Sequence, residues 1–316
     1  YGEMRSNWYE SGAVNDAFFN RVGTNVLLSG DAGTNWSSIY TTINSANLIL
    51  KHTPEISFTN EATRSEVMAN AYFLRAYCYF TLVRVFGDCP LLTSGFESEK
   101  QEDMYPSRTA ASEVYAQVET DIEEALRLMP ASSKLLHKAS PAAINMLRTE
   151  YYLWKAKRLG GGNAALSTAQ SSVDAVLKAG YTLLPTFADI FNLNNEANSE
   201  LIWTLPYIVN ENVTPGTSPN FFAYYLAPNG DRTRLREAGY TEDEVPAGSH
   251  AQYVVPTQAY CDFLAEDARD TRTDVSVRVF EDKFLTEEVQ IKRMVVKFKG
   301  SFANDTRSFD SDVPVY

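Results

Sequence analysis

Two segments of this chain combine flat aromatic side chains with planar hydrogen-bonding groups, the pairing that holds a sugar. The first is Arg5-Ser-Asn-Trp-Tyr9, with Asp31 and Asn35 following in sequence. The second runs from Tyr207 to Tyr253 and contains Phe221, Phe222, Tyr224, Tyr225, Asn229, Asp231, Arg232, Arg234 and Tyr240. A pyranose has a face of C–H groups that is apolar and slightly positive, and an aromatic ring meets it with a flat negative face at small entropic cost. The hydroxyls then need donors and acceptors held in a plane, which Asn, Asp, Gln and Arg supply. Arg5, Asn7, Trp8, Tyr9, Tyr224, Tyr225, Asn229, Asp231 and Arg234 are therefore the candidate ligand residues. A packing role stands beside the binding role. Phe221-Phe222 suits pinning a long loop to a scaffold, while Trp8 and Tyr224-Tyr225 suit either role. Trp36, Trp154 and Trp203 lie on helical or strand patterns that place them in a core.

Catalytic chemistry finds less material. The three histidines are His52, His137 and His250. His52 ends a helical segment, where a charge–dipole role suffices, and the other two lie in polar turns. No Gly-x-Ser-x-Gly elbow, phosphate loop, dinucleotide fingerprint or HExxH pair occurs. A glycosidase needs two carboxylates facing across a sugar. Asp121, Glu123 and Glu124 read as a solvated helix face, and Glu242, Asp243 and Glu244 as an acidic loop. Asp305 to Asp312 places aspartates on irregular backbone, but the EF-hand spacing and its closing Glu are missing. The reading is of a non-enzyme with no cofactor and no metal.

Composition narrows the partners. With 28 basic and 40 acidic residues the net charge is −12, which disfavours nucleic acid, since phosphate binding needs clustered Lys and Arg. Hydrophobic residues make up 44% of the chain, and 18 Tyr and 17 Phe are present, enough for a large core with aromatics left for a surface. Cys78, Cys89 and Cys261 are too few and too scattered for a disulfide framework, and Cys78 falls on the apolar side of its helix as a small hydrophobe. No apolar run approaches the ~20 residues of a membrane span.

These candidates must be positioned by a mainly helical frame. The spacing predicts helices over 36–52, from Asn60 to a stop at Gly87, from Thr109 to Met129, from Ser140-Pro141 to the glycines at 160–162, and over 163–179. Small residues at the crossings (Ala71, Ala143, Ala156, Ala169) allow close approach, so the segments read as antiparallel hairpins in a tetratricopeptide-like stack. Tyr and Phe widen the apolar face of the second helix, so it should be buried on more than one side. In the 113–124 stretch the acidic residues, Asp121 among them, are read as mostly outward. Residues 1–35 read as loop with one short helix around 14–22. Beyond 180 the chain turns irregular and partly β: a short strand over 200–206, a helix over 257–266 and strand-like residues over 289–299. We expect one domain over 1–316, with 36–180 as scaffold and 181–316 as its loop-rich half.

Several segments, in order, resemble the SusD/RagB family of outer-membrane nutrient-binding lipoproteins. They are Trp36 to Leu50 with Asn47; Glu66 to Leu92, including Phe73-Leu-Arg-Ala76 and Phe86-Gly-Asp-Cys-Pro-Leu91; Arg108 to Tyr115; Asp121-Ile-Glu-Glu-Ala125 with Leu128-Met-Pro130; Ala179 to Leu183; Asn198 to Trp203; and Lys297-Phe-Lys-Gly300 with Ser311 to Tyr316. The resemblance implies non-catalytic capture of an oligosaccharide at the cell surface and its transfer to a SusC-like TonB-dependent transporter. A peptide-binding member of the family, or a helical scaffold without a small ligand, is the alternative. It implies membrane attachment only through a lipid anchor upstream of Tyr1, in a parent chain of about 500 residues, a size that fits one multi-layer domain with insertions. It also implies ligand loops near the N-terminal region and in a mid-chain insertion, where Trp8 and Tyr224 fall.

Overall fold

The computed structural model describes residues 6, 8–11, 21–98, 105–206, 254–282, 290–295, 301–303, 306–308 and 313–316. They fall into two compact units. One comprises Trp36–Thr182, Leu201–Thr204 and Pro314–Tyr316; the other comprises Tyr1–Asn35, Leu183–Glu200 and Leu205–Val313. The fold is mainly α, with a tetratricopeptide-like helical stack in the first of these units.

The helical unit is built from α1 (Ser37–His52), α2 (Glu61–Phe86), α3 (Ala111–Leu128), α4 (Pro141–Arg158) and α5 (Gly162–Leu177). Local chemistry sets their ends. The Asn60 side chain accepts from the Ala62 N–H at 2.9 Å and caps α2, and Ser140 caps α4 through the Ala143 N–H at 3.1 Å with Pro141 behind it. Helix α2 stops at Gly87, whose φ of 70° only glycine adopts without strain. Each helix packs along its sequence neighbour, most extensively α2 on α3 and α4 on α5. Ala71, Ala143 and Ala169 are buried where the crossings need small side chains, and Ala156 is packed against the core edge.

Helix α2 is the centre of this unit. At about 100° per residue, its buried positions from Ala69 to Val83 cover an arc of roughly 220°, which confirms burial on more than one side. Phe73 and Tyr77 meet Trp203 edge-on at 4.9 and 5.2 Å, and Phe80 meets Tyr151 at 5.7 Å. Trp36 packs against Phe86 at 5.2 Å with the Arg108 guanidinium over its ring. The segment Leu201–Trp203 is anchored by backbone bonds with Tyr316, the Trp203 N–H donating at 3.1 Å. The three cysteines are buried as free thiols, and burial pushes the Cys78 thiol up to about 12.

One expectation fails here. Asp121 does not face solvent; it is 0% exposed in the heart of the unit. The Arg75 guanidinium grips it bidentately, Nε to Oδ2 at 2.8 Å and Nη2 to Oδ1 at 2.6 Å, and reaches Asn47 Oδ1 at 2.8 Å. Asn47 in turn donates to the Leu92 carbonyl at 2.9 Å, which the Tyr79 hydroxyl also reaches at 2.8 Å. Burial pushes the Asp121 carboxyl up, against the pull of Arg75. The helical repeat explains the placement: Asp121 lies seven residues after Val114 and four before Ala125, both fully buried, so it shares their face.

The other unit carries the short strands. β1 (Tyr9–Ser11) pairs antiparallel with β3 (Val254–Pro256), with Tyr9 opposite Pro256. β4 (Val277–Asp282) pairs with β5 (Gln290–Val295), and β6 (Ser301–Ala303) with β7 (Thr306–Ser308). Between β3 and β4 lie α6 (Gln258–Ala265) and α7 (Arg272–Ser276). The strand at Tyr9–Ser11 corrects the loop reading of that stretch, and the strand expected over 200–206 shrinks to β2, Thr204–Leu205. The helix expected around 14–22 lies outside the described residues except for helical turn at 21–23.

Candidate functional site

Of the residue set proposed from sequence, Trp8 and Tyr9 are described; Arg5, Asn7, Tyr224, Tyr225, Asn229, Asp231 and Arg234 lie outside the described residues. Trp8 sits one residue before β1. Its carbonyl accepts from the Thr257 N–H at 2.8 Å, which extends the β1–β3 ladder by one bond. Thr257 is also the N-cap of α6, its hydroxyl accepting from the Tyr260 N–H at 3.2 Å. The backbone at Trp8 and the start of α6 are therefore fixed to each other.

The side chains follow from that docking. The Trp8 and Tyr260 rings stack with centroids 4.8 Å apart and planes 4° from parallel, and Tyr9 leans on Tyr260 at 6.0 Å. Trp8 nevertheless stays 50% exposed. One face of the indole is covered by Tyr260, so the exposure belongs to the opposite face and the edge. The result is a rigid aromatic platform whose outer surface is flat and open. On the alternate side of β1, Glu10 receives the Arg293 guanidinium of β5 at 2.5 Å. Asp31 is engaged elsewhere: it is buried, and the Arg21 side chain, then the Leu28 N–H, hold its carboxyl below the usual range.

Tyr260 was not among the residues chosen from sequence. Its sequence signal is the Tyr260 and Phe263 pair at i,i+3 in the helix predicted over 257–266, beside Cys261, which is buried. Among the described histidines, His52 ends α1 and contacts Glu97 at 2.5 Å, and His137 contacts the Thr204 hydroxyl at 3.0 Å. Among the described residues no group of three or more His, Cys, Asp or Glu is placed to hold a metal ion, and no helix is long and apolar enough to cross a membrane.

Residues 3–152 match the family model SusD-like_3, described as starch-binding and associating with the outer membrane. The whole chain superposes on the crystal structure of a SusD superfamily protein from Bacteroides vulgatus with a TM-score of 0.84 and 26% identity, covering 100% of this chain and 67% of that one. The chain is similar to the SusD-like family. SusD-like protein P38 of Formosa agariphila is 32% identical over 214 residues, 61% of this chain and 39% of that protein. Surface glycan-binding protein A of Bacteroides uniformis shares the fold at 16% identity and a TM-score of 0.76, over 98% of this chain and 65% of that one. The chain spans less than half the length of the curated SusD-like relatives it matches.

Proposed function

We propose that this chain is part of a non-catalytic, surface-exposed lipoprotein that captures an oligosaccharide and passes it to a SusC-like TonB-dependent transporter. The observation that carries the reading is the Trp8–Tyr260 stack, an exposed ring held rigid by the strand and helix beneath it. A preorganised flat surface suits the C–H face of a sugar and costs no ordering on binding. Tyr9 flanks it, and Arg5 and Asn7 border it in sequence with the planar donors that hydroxyls require. Tyr224, Tyr225, Asn229, Asp231 and Arg234 are assigned to the same ligand on residue type. Transfer to a transporter and anchoring by lipid are inferred from the likeness to the SusD-like family.

Isothermal titration of the full-length protein against plant, host and microbial glycans tests the reading. Trp8→Ala is expected to weaken the best ligand about tenfold or more, the scale of one lost aromatic contact of ~1.4 kcal/mol. Tyr224→Ala is expected to weaken it too. Unchanged affinity in Trp8→Ala, or release of sugar product by the purified protein, would remove the proposal.

A further inference from the structure

Helix α6 carries a second aromatic ring that the Trp8 stack does not use. Phe263 is 63% exposed and borders a concavity of 540 Å³ lined also by Leu264, Asp267, Arg269, Asp270 and Arg272. That volume lies within the roughly 300–1,000 Å³ of small-molecule sites. Its polar wall is made of two fork-to-fork ion pairs. Arg269 donates Nε to Asp267 Oδ1 at 2.9 Å and Nη2 to Oδ2 at 2.7 Å. Arg272 donates Nε to Asp270 Oδ1 at 2.8 Å and Nη2 to Oδ2 at 2.5 Å. Each pair joins residues two apart on the surface, where ion pairs add little to stability.

What such pairs do offer is donors and acceptors in one place. Each guanidinium spends two of its five N–H donors on its carboxylate and keeps the rest, while the Arg269 and Arg272 backbone N–H groups also donate to Asp267 Oδ1 and Asp270 Oδ1 and leave Asp267 Oδ2 the more open acceptor. Donors and acceptors therefore stand side by side along one edge. A sugar hydroxyl donates and accepts at once, so a vicinal diol matches that edge, while Phe263 supplies the flat apolar surface a sugar ring needs. The charge of the wall selects further. Glu266, Asp267 and Asp270 against Arg269 and Arg272 leave one net negative charge, and both guanidiniums already hold a carboxylate.

We propose that this concavity is a second saccharide site, for a neutral, hydroxyl-rich sugar ring stacked on Phe263 and bonded by the Asp267–Arg269 and Asp270–Arg272 pairs, and that it turns away uronic and other acidic sugars. The proposal rests on the glycan-binding reading above but not on Trp8. The test uses the full-length protein carrying Trp8→Ala, with maltotriose, laminaritriose, cellotriose and mannotriose as neutral probes and trigalacturonate as the acidic one, read by saturation-transfer NMR and calorimetry. At least one neutral trisaccharide is expected to bind more tightly than trigalacturonate. Adding Phe263→Ala is expected to weaken it about tenfold, and Phe263→Trp to retain it, which separates ring loss from misfolding. The site is refuted by Phe263→Ala with unchanged affinities, by trigalacturonate binding as well as the neutral probes, or by no neutral probe binding the Trp8→Ala protein. Failure of the Trp8 platform reads out separately, as Trp8→Ala binding every probe like the wild type.

Discussion

At the scale of single residues, the decisive group for the scaffold is Asp121. It neutralises Arg75 where neither side chain reaches water, and Gln117 and Asn47 complete the shell. Taking the charge from one partner leaves the other buried and uncompensated, which costs far more than the pair itself contributes. Asp121→Asn is therefore expected to lose about 3–5 kcal/mol of unfolding free energy, measured by urea denaturation. Adding Arg75→Met should return much of that loss, because the Asn and Met pair leaves no orphan charge. A double variant no more stable than Asp121→Asn would show that the guanidinium's bond to Asn47, rather than charge balance, is what the site needs. The residue was legible and was misread: acidic type pointed outward, while its position in the Val114–Ala125 repeat pointed inward, and the repeat prevailed because Arg75 was waiting on α2. Trp8 was legible by type. Tyr260 was not, because its role depends on a strand pairing that no local pattern announces.

At the scale of elements, the segment after α2 works as a strap over α1. The Asn44 side chain donates to the Phe96 carbonyl at 3.1 Å and accepts from its N–H at 2.7 Å, copying a strand pair, and Asn47 holds the Leu92 and Ser94 carbonyls. Gly95 lets this strap lie flat: a Cβ there would come within 2.6 Å of Leu48 Cδ2 and 3.0 Å of the Leu48 backbone nitrogen. Gly95→Ala is thus expected to lift the strap and cost about 1–3 kcal/mol as overpacking does. The specific readout is faster hydrogen exchange at the Phe96 amide with α3 to α5 unchanged; protection of Phe96 equal to the wild type would refute the strap. The helices themselves were readable because their information is local: caps at Asn60 and Ser140, a stop at Gly87, and apolar residues at 3–4 spacing. The strands were not. Tyr9–Ser11 is three residues long and pairs with Val254–Pro256 from the far part of the chain, so neither partner shows a run long enough to mark itself.

At the scale of the whole molecule, the charge of −12 makes acid the informative stress, and the carboxylates differ in what they contribute. Asp31, Glu97, Asp267 and Asp270 are all held below their ordinary values by side-chain partners, Asp270 to about 2 by Arg272. Glu97, Asp267 and Asp270 belong to ion pairs open to solvent, which screens them, so their protonation moves stability little. Glu119 is different in kind. Burial alone would raise it, but bonds from Lys155 at 2.7 Å, Tyr151 at 2.8 Å and Tyr152 at 2.9 Å outweigh that and hold it below its ordinary 4.5. All three donors stand on α4, so this one carboxylate of α3 ties two layers of the stack together. A group lowered in the folded state contributes stability that is fully present above its unfolded value and is lost as pH falls through its folded one. Thermal unfolding is therefore expected to hold level from neutral pH to about 5 and then fall steeply below the ordinary Glu range near 4.3. Glu119→Gln should start lower at pH 7 and follow a shallower acid limb, since it has no such proton to take up. Parallel curves for the two proteins between pH 6 and 3 would place the acid sensitivity elsewhere.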